Sequence, residues 1–273
     1  MEASQPRPLA LEWAARTEVG IVRSNNQDSM FAGGRLLAVA DGMGGMAAGD
    51  VASRLAIEAM TPLDEEFAGS DLLTALRTAV SDANRRIRDE VEADPEKQGM
   101  GTTLTAILFS GDRVGLVHIG DSRAYLLRGD DFEQVTRDDT YVQMLVDEGR
   151  ITLEEAATHP QRSLVSRVLQ GQPTDPVYSV VPARAGDRYL LCSDGLSGVL
   201  RAETIEEVLR EYADVEECVD RLVDLALRGG GPDNITAVVA DIVGDDVPEP
   251  KGLRRRLQSW LGRDQVNGAR LPA

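Results

Sequence analysis

Leu36-Leu37-Ala38-Val39-Ala40-Asp41-Gly42 is a short apolar run that stops on an acid and a glycine. The same pattern returns twice. Leu116-Val117-His118-Ile119 leads into Gly120-Asp121, and Tyr189-Leu190-Leu191-Cys192 leads into Ser193-Asp194-Gly195. A further acid, Asp233, sits in Gly229-Gly230-Gly231-Pro232-Asp233-Asn234, just before the apolar run Ala237 to Ala240. Short apolar runs bounded by Gly, Asp or Ser read as strands, and Leu104 to Phe109 is another.

Working outward, the spacing changes from strand-like to helical. Leu72, Leu76, Val80, Ala83, Ile87 and Val91 recur every three or four residues, with Asp71 placed to cap the helix they predict. Val215, Cys218, Leu222, Leu225 and Ala226 form a second stripe that stops at Gly229 to Gly231. Helices are also expected over 47–60 and 203–212. Strands, two helices, several strands, a polar insertion, more strands, two helices and a last strand are not regular β-α-β alternation. The order points to an α+β chain of antiparallel sheets with segregated helices.

The 273 residues carry 29 Lys and Arg against 46 Asp and Glu, a formal net charge of −17. That balance argues against a nucleic-acid binder, which needs a basic surface. The charge is uneven: residues 251–273 hold six basic groups and one acid, a local +5 that leaves −22 on the rest. No apolar run approaches the ~18 residues that span a bilayer, and residues 1–20 lack a signal-peptide core. Cys192 and Cys218 both fall in apolar settings and read as reduced, buried thiols, which favours the cytoplasm. Residues 1–8 read as a flexible leader, 9–243 as the folded domain, 244–252 as a linker and 253–273 as a basic amphipathic tail.

Asp-Gly alone is an ordinary turn signal. Several acids delivered to strand tips ask for more, because clustered carboxylates repel one another unless a cation intervenes. With two histidines and no Cys-x-x-Cys, zinc is poorly served. All-oxygen ligation suits Mg²⁺ or Mn²⁺, ions that commonly serve phosphate chemistry.

Six motifs then stand in order: Arg23-Ser24-Asn25-Asn26-Gln27-Asp28, Asp41-Gly42-Met43-Gly44-Gly45, Gly101-Thr102-Thr103, His118-Ile119-Gly120-Asp121-Ser122-Arg123, Ser193-Asp194-Gly195-Leu196 and Gly231-Pro232-Asp233-Asn234. On these residues, from about Ala15 to Ile242, the chain resembles the metal-dependent protein phosphatases of type 2C (the PPM family). The likeness is greatest to actinobacterial Ser/Thr phosphatases that oppose eukaryotic-like kinases. The resemblance implies a four-layer αββα sandwich with metals at one end. It implies that Asp41 bridges two core ions, that the Gly42 carbonyl binds one of them, and that Asp194 and Asp233 complete the other. A weaker third ion would involve Asp121, Asp194 and the Ser163 backbone. Arg23 would hold the substrate phosphate, and Asp28 would orient metal-bound water from behind the ligands. The implied chemistry is direct hydrolysis of phosphoserine and phosphothreonine by metal-activated water, with Asp41, Asp194 and Arg23 central to catalysis.

The implied enzyme is a monomer acting on phosphoproteins, a Ser/Thr kinase among them. Two departures stand out. Met46 follows Asp-Gly-Met-Gly-Gly where many bacterial relatives have His, and Met43 stands where eukaryotic relatives place a proposed general acid. The leaving-group acid is therefore unassigned, and neither His118 nor His159 is expected to supply it. Residues 137–176 correspond to a flap beside the site, and Asp138, Asp139, Pro160 and Pro173 suggest a mobile one. In the tail, Leu253, Leu257, Trp260 and Leu261 share a helical face that suits weak contact with an anionic membrane. A regulatory module with this fold, or a phosphatase devoted to one partner-switching regulator, are the competing readings.

Overall fold

A computed structural model describes residues 8–44, 48–65 and 71–244. The leader up to residue 7, Met46 and the tail lie outside the described residues, as does the linker beyond Gly244. The elements in order are β1 (Ala10–Glu18), β2 (Asp28–Ala32), β3 (Leu36–Met43), α1 (Gly49–Met60), α2 (Leu72–Ala93), β4 (Gly101–Thr102), β5 (Leu104–Phe109), β6 (Arg113–Ile119), β7 (Arg123–Arg128) and β8 (Asp131–Gln134). They continue with α3 (Tyr141–Asp147), α4 (Leu153–Ala157), β9 (Val177–Pro182), β10 (Arg188–Cys192), α5 (Asp194–Ser197), α6 (Ala202–Glu211), α7 (Val215–Arg228) and β11 (Ile235–Val243).

The strands make two antiparallel sheets. One runs β1-β11-β10-β7-β8, and the other runs β2-β3-β5-β6-β9 with β4 paired to β3. The apolar runs fail to alternate in sequence because both faces of each sheet are covered. Along β3, Leu36, Ala38 and Ala40 pack with α1 and α2. Their neighbours Leu37 and Val39 face the other sheet, against Tyr189, Leu191 and Val238. On β11, Ile235, Ala237 and Val239 turn toward α6 and α7 while Val238, Ala240 and Ile242 turn inward. The period of two is present, but both phases are apolar. The result is the expected helix–sheet–sheet–helix sandwich.

The helices follow their stripes. Leu72, Leu76, Val80, Ala83 and Ile87 are buried on α2, and Cys218, Leu222 and Ala226 on α7. Asp71 occupies the cap position of α2, but its carboxylate accepts from the Thr74 hydroxyl at 2.8 Å rather than from a backbone N–H. Both cysteines are free and buried.

One boundary differs from the sequence reading in a way that matters for the site. β3 does not turn at Asp41-Gly42. It continues to Met43, because Gly42 and Met43 pair with Thr102 and Gly101. Gly42 is there for contact rather than for a bend: a Cβ would stand 2.0 Å from the Gly49 carbonyl oxygen at the start of α1.

The inter-sheet layer sets stability. Leu191 is fully buried within it. Leu191→Ala should cost about 2–5 kcal/mol, read as a lower urea midpoint with an unchanged slope.

Candidate metal and phosphate site

Each acid singled out in the sequence reaches the site from its own element. Asp41 lies on β3, in register with Asp28 on β2. Asp121 follows β6 and Gly120, Asp194 opens α5 directly after β10, and Asp233 precedes β11. Asp28 and Asp121 are buried, whereas Asp41, Asp194 and Asp233 keep part of their surface open to solvent. An ion or a phosphate arriving from water needs that opening.

Asp28 ties the two sheets together at this end. Its Oδ2 accepts from the Ser193 hydroxyl at 2.7 Å and from the Thr236 hydroxyl at 2.6 Å. Ser193 belongs to the turn after β10 and Thr236 to β11, so one carboxylate on the sheet of β2 and β3 is gripped by two strand ends of the sheet of β10 and β11. Its other oxygen, Oδ1, is buried with no hydrogen-bond partner, and so is Oδ1 of Asp194. Orphaned buried carboxylate oxygens are costly and point to a missing positive or donating group.

The electrostatics agree. Burial pushes the Asp28 carboxyl up to about 6 against the two hydroxyl donors, with Asp194 and Asp233 adding to the rise. Burial, then the charge of Asp194 and Asp138, pushes Asp121 up to about 8, with Arg123 opposing. Asp41 rises well above its ordinary range through burial and the charges of Asp28, Asp194, Asp121 and Asp233. Asp194 rises through burial and Asp233. Burial leads each shift, and the crowding of like charges adds to it. Among the described residues no three acidic, His or Cys side chains hold an ion-binding arrangement as they stand. The fit to a hard divalent cation rests on the all-oxygen donor set and the two orphaned oxygens. A cationic side chain already meets the cluster, since Arg23 donates from Nη2 to Asp233 Oδ2 at 2.6 Å, its own side chain 49% exposed.

Residues 21–229 match the family model described as protein phosphatase 2C. The chain belongs to the protein phosphatase 2C family. It is 60% identical over 238 residues to the serine/threonine protein phosphatase PstP of Mycobacterium tuberculosis, covering 87% of this chain and 46% of that protein, so it spans about half of that relative's length. It is 34% identical over 240 residues to the serine/threonine phosphatase stp of Listeria innocua, covering 83% of this chain and 94% of that one. A crystal structure of the M. tuberculosis phosphatase PstP/Ppp superposes with a TM-score of 0.84 at 59% identity, over 86% of this chain and 99% of that chain. The PstP catalytic domain in complex with two manganese ions superposes at 0.82 and 57%, over the same shares.

In this phosphatase 2C chain the most informative residues beyond the acids are their neutral partners. The Asp41 N–H donates to Thr103 Oγ1 at 2.9 Å, and the Thr102 hydroxyl donates to the Asp41 carbonyl at 2.9 Å. Asn234 donates from Nδ2 to the carbonyls of Val19 at 2.9 Å and Asn25 at 2.8 Å, and its Oδ1 accepts the Gln27 N–H at 2.8 Å. Thr102, Thr103, Ser193 and Asn234 stand inside recognised motifs, and that was their only signal. Thr236 had none.

Ser163 stands apart. It is exposed in the flap, and no described contact ties it to Asp121 or Asp194. His118 is buried, with Nε2 on the Arg137 carbonyl at 2.9 Å and Nδ1 on the Thr105 hydroxyl at 2.9 Å, and burial lowers its pKa. His159 sits in the flap, its Nδ1 accepting from Gln161 N–H at 3.1 Å.

The flap acids correct the sequence reading. Asp138 and Asp139 are buried anchors, not marks of mobility. Asp138 accepts from Arg123 at 2.7 Å and Gln134 at 2.9 Å. Asp139 accepts the Gly120 N–H at 3.0 Å, donates its own N–H to the Gly120 carbonyl at 2.7 Å, and pairs with Arg167. The flap is thereby fastened to the turn that carries Asp121.

The raised carboxylates make a stability prediction. Folded Asp28 and Asp121 titrate at about 6 and about 8 against an ordinary 3.8. Between those values the folded chain holds protons that the unfolded chain has released, so stability falls as pH rises. Without metal, the melting temperature should be several degrees higher at about pH 5 than at about pH 8. Added Mn²⁺ should raise it more at the higher pH, as scanning calorimetry would read.

Proposed function

We propose that this chain is a Mg²⁺- or Mn²⁺-dependent protein phosphatase hydrolysing phosphoserine and phosphothreonine on proteins. The observation that carries the reading is the group of mutually repelling carboxylates at one end of the sandwich, with the Arg23 guanidinium at its open side. Asp41, the Gly42 carbonyl, Asp194 and Asp233 would hold two ions. Asp121, with Asp194 and the Ser163 backbone, would hold a weaker third. Such ions, when bound, acidify water and offset charge on a phosphate.

The remaining roles belong to the protein. Asp28, fixed by Ser193 and Thr236 through Oδ2, keeps an unpartnered Oδ1 that would accept from water. Arg23 already grips a carboxylate, and a phosphate offers its fork the same paired oxygens. A thiolate nucleophile is unsupported: burial pushes Cys192 up to about 12 and Cys218 up to about 11. His118, held from both ring nitrogens inside the core, is not positioned to protonate a leaving group.

The reading extends to a monomeric, cytoplasmic enzyme that reverses Ser/Thr kinase signalling, with a kinase among its phosphoprotein partners and no nucleic acid. Two free, buried thiols and the net charge of −17 support it. Among the described residues no helix is long and apolar enough to cross a membrane.

Asp194→Asn should lower Mn²⁺-dependent hydrolysis of p-nitrophenyl phosphate on the order of a hundredfold or more, at saturating substrate. Arg23→Ala should act mainly on KM, roughly tenfold. Near-full activity in Asp194→Asn would defeat the reading.

A further inference from the structure

Ile21 and Val22 immediately precede Arg23, and their residues are 66% and 71% exposed. Among the described residues they are the one pair of large exposed apolar side chains adjacent in sequence. A single exposed leucine or valine needs no explanation. Two together, beside a candidate phosphate-binding guanidinium, invite one.

The loop that carries them is fastened from underneath. The N–H groups of Ile21 and Val22 both donate to the Gly231 carbonyl, at 2.8 and 3.3 Å. Asn234 holds the carbonyls of Val19 and Asn25 on either flank. Gly20, at φ +82°, lets the loop lie against the acid-bearing turn, where a Cβ would stand 2.1 Å from the Asp233 carbonyl oxygen. Backbone bonds therefore hold the pair in place, while its side chains stay in water. Both residues are β-branched, so they lose little rotamer freedom on being covered.

We infer that Ile21 and Val22 form a fixed apolar docking step for a phosphopeptide, contacting an apolar side chain two or three residues from the phosphorylated Ser or Thr. The inference rests on the phosphatase reading and deepens it to substrate choice. Consecutive Cα atoms are 3.8 Å apart, and an extended peptide advances roughly 3.3 Å per residue. With its phosphate on Arg23, a peptide that runs along this loop would carry a neighbour of the phosphoresidue over Val22 and Ile21. Charge sets a limit on the occupant. Outside its basic tail the chain carries −22, so acidic flanks are disfavoured, and beside the Arg23 charge Ile21 and Val22 offer apolar contact.

The test uses the full chain with Mn²⁺ and two phosphothreonine peptides, one with Leu and one with Ser at the flanking positions. Wild type should prefer the Leu peptide about tenfold in kcat/KM, through KM. I21S/V22S should lose that preference while keeping p-nitrophenyl phosphate hydrolysis and melting temperature within about twofold and a degree or two of wild type. Equal rates on both peptides in wild type, or an unchanged preference in the variant, would overturn the inference while leaving the phosphatase reading intact. A wild type inert on p-nitrophenyl phosphate would instead overturn that reading. Sedimentation adds a last arm: a wild-type dimer that I21S/V22S turns into monomer would assign the pair to self-association and overturn the docking role.

Discussion

The repulsion among Asp28, Asp41, Asp121 and Asp194 is the constraint around which this end of the molecule is organised. Left to themselves these groups would separate or take up protons: burial first, and then the charge of neighbouring acids, raises the pKa of each. The sandwich prevents separation because each acid is fixed to a strand end whose side chains are locked in a core. Asp28 makes the arrangement possible in a second way: it spends one oxygen on Ser193 and Thr236 of the opposite sheet. A strained charge cluster is thus also a latch between layers, and the two functions cannot be separated by moving either sheet.

Much of this was legible in the sequence, for a physical reason. Strands covered on both faces become unbroken apolar runs, so Leu104–Phe109 and the run ending at Cys192 are found nearly to the residue. The helical stripes survive because one face of each helix meets water. What escaped notice depended on long-range contact. The β3 strand runs on through Gly42 because α1 packs on it, and nothing local distinguishes that glycine from a turn glycine. Asp138 and Asp139 looked like solvent acids because their partners, Arg123 and Arg167, lie 15 and 28 residues away.

Those two flap acids change the picture of the insertion. A flap hinged on exposed charges could move without affecting the site. This one is fastened to the Gly120-Asp121 turn through Asp139, whose carboxylate also takes Arg167. Coupling runs the other way as well: whatever neutralises Asp121 alters the field around Asp138, whose charge contributes to the Asp121 shift.

The net charge of −17 takes on a different meaning once the site is built. By itself it speaks against a basic, nucleic-acid-binding surface. Part of it is a local group of buried, crowded acids, and the rest disfavours acidic partners at long range. Long-range charge of this sign favours basic flanks and disfavours acidic ones. On the proposed reading, short-range selectivity comes from the rim, where Arg23 supplies charge and Ile21 and Val22 supply apolar area. Because all three stand on a loop bonded to Gly231 and Asn234, they keep a fixed relation to Asp233. On the proposed reading, a substrate that satisfies the rim would thereby be delivered at a set distance from the acids.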